Sequence, residues 1–348
     1  MRLFNIATAS VLAFAGAALF LGPSLAEACA GLIGSNGAVN LARTTTLAGY
    51  DDGVEHYVTS FQFEGGGGEF GSLIPLPGVP TKVERGGAWT LQRLQLETQP
   101  PVEFQALASS AQDSFRGAQV LLETRIDALD ITVLKGGGAD VATWASEHGF
   151  RLSPDAPEVL DFYASRSPIF LAAVFDGDAA LERGQQLGDG TPVHLTIPTD
   201  DPWVPLRILG LGKQPGDRVE ADVYLLTDRR PALLPAPGAG LTLTHSEPAT
   251  DLLLDDLRSD DGMAWVPDSA WLTKLEVDTT AGDLGYDLAI DASGAGSPSP
   301  VDAGLRLPGA PIEGGYGASL AWTGAIAGLA VLIVLAARRF RPATAAQQ

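Results

Sequence analysis

From Gly317 to Ala337 the chain carries no charged residue, and Arg338, Arg339 and Arg341 follow almost at once. A run of that length can cross a hydrocarbon core of ~30 Å at ~1.5 Å per helical residue. The approach from Pro308 to Tyr316 holds a single charge, Glu313. Positive residues stay on the cytoplasmic side of a bilayer. The pattern therefore predicts one C-terminal transmembrane helix over 317–337, a cytoplasmic tail over 338–348, and everything earlier outside. A buried core helix would leave the arginine stop unexplained.

Inside that run, Leu320-Ala321-Trp322-Thr323-Gly324 resembles the Leu-Ala-x-Thr-Gly signals read by sortases of Gram-positive bacteria, in which a pentapeptide precedes an apolar run and a basic tail. The resemblance implies cleavage between Thr323 and Gly324 and attachment of the Thr323 carbonyl to a cell-wall amine. The apolar residues left after the pentapeptide, Ala325 to Ala337, are short for such a signal. A retained membrane anchor is the first expectation, and sortase attachment to the wall is the alternative.

The opposite end reads as a secretory signal peptide over 1–28. Arg2 supplies the positive start, Val11 to Leu21 the apolar stretch, and Gly22-Pro23 the break. Ala26-Glu27-Ala28 then offers small-x-small, which predicts cleavage between Ala28 and Cys29. Lipidation of Cys29 is a lesser alternative, because Glu27 sits where lipoprotein signals carry a small residue. Both ends point to an exported, single-pass protein.

Removing Arg2, Glu27 and the three C-terminal arginines leaves 18 basic and 41 acidic residues in the external part. Such a surface repels nucleic acid and anionic lipid, so no nucleic-acid partner is expected. The single cysteine excludes an intramolecular disulfide, so core packing must hold the fold although the compartment is oxidising.

Along the chain, the expected class is α+β: a β-rich extracytoplasmic region with a few short helices. The part from 29 to 135 reads as β-rich. Tyr57, Thr59, Phe61 and Phe63 alternate onto one face, Gly65 to Gly68 make a turn, and Thr98-Gln99-Pro100 opens a helix carrying Phe104, Leu107, Ala108 and Ala111. An α/β middle part spans 136–230. Asp140 is the expected N-cap of a helix with Val141, Trp144, Ala145 and His148 on one stripe and Gly149 at its end. A second helix after Ser153-Pro154 turns Val159, Phe162 and Tyr163 inward. Phe170 to Phe175, Val193 to Ile197 and Val219 to Leu225 read as strands. A Pro/Gly joint at 231–240 opens an acidic part of the same ectodomain, 231–291, which ends in a strand near Ile290. The Gly/Ser/Pro/Ala segment 292–316 reads as a stalk.

The order of landmarks resembles an uncharacterised bacterial family, domain of unknown function 2330. Ala28-Cys29-Ala30-Gly31 stands after the signal, followed by Ile74-Pro75-Leu76-Pro77 and Thr98-Gln99-Pro100. Trp144 with Gly149, Tyr163, Pro205-Leu206-Arg207 and Trp271-Leu272-Thr273 complete the series, which covers roughly 28–291. Where the family commonly has a second cysteine, this chain has Gly34. The resemblance implies location and fold similarity but no reaction.

Little in the sequence signals chemistry. His56, His148, His194 and His245 are widely spaced, so a zinc site would need distant residues to converge, and His148 fits a structural role. Gly210-Leu211-Gly212-Lys213 lacks the Gly-Lys-Ser/Thr ending of a phosphate loop and reads as a hairpin turn. The acidic pairs Asp51-Asp52, Asp176/Asp178, Asp200-Asp201, Asp255-Asp256 and Asp260-Asp261 read as solvated loops, and Asp176-Gly177-Asp178 lacks the spacing of a calcium loop. No catalytic, cofactor or metal-binding residue is assigned, and no cofactor is expected. The expected function is a membrane-tethered cell-surface protein with a binding or structural role. The alternative is an extracytoplasmic hydrolase with an acidic or metal-assisted site.

Overall fold

The computed structural model describes residues 31–34, 37–38, 44–62, 69–99, 120–184 and 190–306. The signal peptide, Ala28, Cys29, the Gly65–Gly68 turn, the helix expected beyond Thr98, and the segment 317–348 with Thr323 and Gly324 lie outside them. Among the described residues no helix is long and apolar enough to cross a membrane.

The chain begins with β1 (Gly31–Gly34), β2 (Gly37–Ala38), β3 (Thr44–Asp51), β4 (Val54–Gln62), β5 (Glu69–Pro75) and β6 (Lys82–Arg85). Helix α1 (Thr90–Thr98) comes next, then β7 (Val120–Ile126), β8 (Leu129–Lys135), α2 (Gly138–Glu147) and α3 (Ala156–Ala164). They are followed by β9 (Ile169–Asp176), α4 (Gly177–Glu182), β10 (Gly190–Pro198), β11 (Trp203–Val204), a 3-10 turn (Arg207–Gly210) and β12 (Arg218–Thr227). The last elements are β13 (Ala232–Leu234), β14 (Leu241–Pro248), α5 (Asp251–Ser259), β15 (Trp271–Thr280) and β16 (Leu288–Asp291).

Three sheets result: β2-β1-β5-β9-β8-β7, β14-β15-β12-β3-β4-β10-β6, and the small β11-β16-β13. The β12–β3 pair is parallel, and the other strand pairs are antiparallel. Alternation assigns the faces. In β9, Ile169, Leu171, Ala173 and Phe175 join one cluster with Tyr57, Leu195, Val223 and Leu275 of the seven-stranded sheet, which is the sandwich core. Phe170, Ala172 and Val174 point the other way, onto Val141, Trp144, Val159 and Tyr163 of α2 and α3. On the far side, Leu47, Val58, Tyr224 and Leu272 meet Leu91 and Leu94 of α1 and Leu253, Leu254 and Leu257 of α5. The order is helix, sheet, sheet, helix. Strands buried on both faces read as continuous apolar runs, as Ile169 to Phe175 does, and each large side chain buried this way contributes ~1.5–3 kcal/mol.

Several expectations are corrected. The helix α2 starts two residues earlier than Asp140: its N-cap is Gly137, and the Asp140 carboxylate accepts the Gly137 N–H at 2.7 Å from inside the first turn. Its stripe of Val141, Trp144 and Ala145 is buried and Gly149 takes a φ of 80°, as expected of the cap. Thr98 is the last residue of α1, and the helix expected to open there lies outside the described residues. Gly210 to Lys213 is no hairpin turn. It leads from the 3-10 turn to β12, whose neighbours are β15 and β3. The 231–240 joint contains β13, which pairs with β16. Residues 292–304 are not stalk: Asp287 N–H donates to Ala303 O at 2.9 Å, Ala303 is fully buried, and Gly304 abuts the Phe162 ring.

Candidate functional site

Several carboxylates hold elements together. Asp287, fully buried on the approach to β16, accepts from Tyr163 Oη at 2.8 Å and from the backbone N–H of Leu206 and Arg207 at 2.7 and 3.0 Å. Its other oxygen takes the Arg166 guanidinium, whose side chain is 2% exposed and lies over the rings of Phe162, Tyr163 and Trp203. Tyr163 Oη in turn accepts the Ile208 N–H at 2.8 Å. Burial, and then the Asp287 charge, push the Tyr163 phenol well above its ordinary range. This hub pins α3, the 3-10 turn and β16 to one another. It also gathers the landmarks Tyr163, Leu206 and Arg207 at one place.

Asp260 has a similar use. Helix α1 has no side-chain cap of its own, and the Asp260 carboxylate receives Ala88 N–H, Trp89 N–H and Thr90 Oγ1 at 3.1, 2.9 and 2.8 Å. A carboxylate at a helix N-terminus satisfies free N–H groups and meets the positive end of the dipole. Asp176 caps α4 through Ala179 N–H at 2.8 Å, and Asp256 binds Arg93 at 2.8 Å. Asp51, Asp52 and Asp200 are exposed. Among the described residues no group of three or more His, Cys, Asp or Glu is placed to hold a metal ion.

One cluster has no such structural use. His56 on β4 and His194 on β10 lie between inward residues (Glu55, Tyr57; Val193, Leu195), so both project to the outer face of the seven-stranded sheet. His194 pairs with Glu84 of β6 in register, and Gly49 of β3 pairs with His56. His56 Nδ1 and His194 Nε2 are hydrogen-bonded at 2.9 Å, and Glu84 Oε1 stands 3.4 Å from His194 Nδ1, beyond a formed hydrogen bond. Trp265, from the connection after α5, stacks on His56 at 4.2 Å and 1° and lies 5.5 Å from the His194 ring. Gly49 permits this: a Cβ there would come within 2.4 Å of two indole ring carbons. Burial pushes both imidazoles down to about 4. Asp51 and Glu84 oppose this at His56; at His194 the His56 neighbour adds to it and Glu84 opposes it.

A second buried group is Glu55, on the inward side of β4. It is 0% exposed, and neither carboxyl oxygen makes a hydrogen bond. Burial raises it from 4.5 to about 8, offset in part by the Trp203 backbone.

Sequence reasoning did not bring His56 and His194 together. Their alternation was readable, since each sits between core residues, but the register placing β4 beside β10 was not. His148 does take the expected structural place, with Nδ1 2.8 Å from Trp144 O. The processing residues Ala28, Cys29, Thr323 and Gly324 lie outside the described residues.

The family model for uncharacterized proteins conserved in bacteria (DUF2330) matches residues 23–236. The late landmark Trp271-Leu272-Thr273 falls beyond that match, as do β15, which sits between β12 and β14, and Asp287. No curated protein matches the chain. Among solved structures the chain is similar to a mutated baculovirus P35 after caspase cleavage, at 8% identity over 73% of this chain and 98% of that chain, with a TM-score of 0.38. It is also similar to baculovirus P35 (10%, 71% and 96%, 0.36) and to a chain of the caspase-8/P35 complex (9%, 71% and 95%, 0.33). At these TM-scores the likeness carries no argument.

Proposed function

We propose that this chain, which belongs to the DUF2330 family of uncharacterized proteins conserved in bacteria, is an exported protein with a binding or structural role, tethered by its segment 317–337 with the folded part outside the cytoplasm. The observation that carries the structural side of this reading is the use made of its carboxylates. Asp287, Asp260, Asp176 and Asp256 act as caps and ion-pair partners that tie helices to their neighbouring elements. Support for tethering comes from the uncharged run before Arg338, and for export from Ala26-Glu27-Ala28.

Mass spectrometry of the mature protein from fractionated cells tests it. A membrane-fraction chain beginning at Cys29 and continuing to Gln348 is the expected result. A chain ending at Thr323 would move the attachment to the wall, and a cytoplasmic chain that retains residues 1–28 would refute export. A hydrolytic role is the second reading. The convergence of Glu84, His194 and His56 under Trp265 favours it.

A further inference from the structure

We propose that Glu84, His194 and His56 form a proton relay whose outer end, His56 Nε2, is a bare nitrogen that accepts a proton or hydrogen bond from a ligand hydroxyl, water or an alcohol. This goes beyond the tethered-protein reading and does not depend on where the chain resides.

One proton lies between His56 Nδ1 and His194 Nε2. Two neutral imidazoles allow two arrangements. If His56 donates from Nδ1, then His194 keeps its proton on Nδ1, the ring nitrogen 3.4 Å from Glu84 Oε1. If His194 donates from Nε2 instead, its bare Nδ1 lone pair faces the carboxylate. The first contact attracts and the second repels. With His194 only 2% exposed, the difference is weakly screened. Both rings are thereby held as Nδ1–H tautomers, and His56 Nε2 carries no proton. The second ring nitrogen thus acts through the hydrogen bond made by the first.

The charged groups around the pair agree. Lys82 on β6 sits 2.6 Å from Glu84, while Asp51 on β3 acts on His56. Trp265 and Gly49 hold the His56 ring flat beneath the indole.

The relay moves a proton without leaving a charge on either ring. As a hydroxyl O–H breaks, N–H forms at His56 Nε2. The His56 Nδ1 proton passes to His194 Nε2, and the His194 Nδ1 proton passes to Glu84 Oε1 once their 3.4 Å contact closes to hydrogen-bond distance. The oxygen keeps the electron pair, Glu84 becomes neutral, and both imidazoles end neutral in the opposite tautomer. Burial penalises an imidazolium here, and this route never needs one to persist.

The test is nitrogen-15 NMR of the full-length protein labelled at histidine, near neutral pH. Nδ1–H on both His56 and His194, with an unprotonated His56 Nε2, is the expected spectrum. Glu84→Gln, at a side chain 30% exposed, replaces the charged carboxylate with a neutral amide that can accept from or donate to His194 Nδ1. It should remove the preference, so that the His56 proton is found on Nε2 as well as on Nδ1. Ethylene glycol, as the alcohol probe, should shift the wild-type His56 Nε2 resonance and leave His245 unmoved. A wild-type His56 protonated on Nε2, tautomers unchanged in a folded Glu84→Gln, or a His56 resonance indifferent to the probe would each overturn the proposal. Should Glu84→Gln not fold, the wild-type tautomers alone decide.

Discussion

Replacing Glu55 with glutamine should stabilise the protein at alkaline pH and change little at acid pH. Glu55 is fully buried between core residues with no hydrogen bond to either oxygen. Its carboxyl is raised from 4.5 to about 8 by burial. A carboxyl raised in this way holds its proton more tightly in the folded chain than in the unfolded one. Its contribution is therefore fully present below about 4.5, falls as pH rises, and is lost by about 8. At ~1.36 kcal/mol per pKa unit, the loss across that window is about 5 kcal/mol. That is a large fraction of a typical ~5–15 kcal/mol stability. Glutamine has nearly the same shape and cannot ionise, so the variant escapes the loss. Urea unfolding of both proteins near pH 5 and near pH 9 measures it. The gap between them should be small at the lower pH and approach about 5 kcal/mol at the higher one. The two lowered histidines change stability in the opposite direction, because a depressed imidazole loses stability as pH falls from 6.5 toward 4. Their effect is common to both proteins and cancels in the difference. A gap that stays constant with pH would refute the argument that Glu55 is folded as a neutral acid.

Further outcomes follow from the packing. Asp287→Ala leaves the Arg166 guanidinium buried without its carboxylate and should cost ~3–5 kcal/mol in chemical denaturation. Tyr163→Phe removes one donor to Asp287 and the acceptor of Ile208 N–H, and should cost less, ~1–3 kcal/mol; the reverse order would show that the ion pair is not the centre of the hub. Gly49→Ala drives a Cβ into the Trp265 ring and should cost ~1–3 kcal/mol while changing Trp fluorescence. An unaltered spectrum and melting curve would mean that the indole does not lie against β3.

Local pattern made much of this architecture readable in advance. The run Phe170 to Phe175 read as a strand, and Val141, Trp144 and Ala145 as one helix stripe, and both hold. Side-chain periodicity is a property of neighbours in sequence, so it survives without any knowledge of the partner. The start of α1 was not readable, because its capping carboxylate, Asp260, comes from 170 residues further along. Nor was the packing of 292–304, whose Gly/Ser/Pro/Ala composition looks like a linker until Ala303 is seen paired with Asp287.

The same division applies to the site. Alternation alone put His56 and His194 opposite the core side of their strands, and composition alone made the chain acidic and without an internal disulfide. Whether those histidines would meet, and whether Glu84 rather than another acid would stand behind them, depended on the β4–β10–β6 register. Register is set by how two whole strands bury their faces at once, so no single stretch of residues contains it. The inward carboxyl of Glu55 arises in the same way: a one-residue alternation chose its face, and the second sheet closing over that face removed its water.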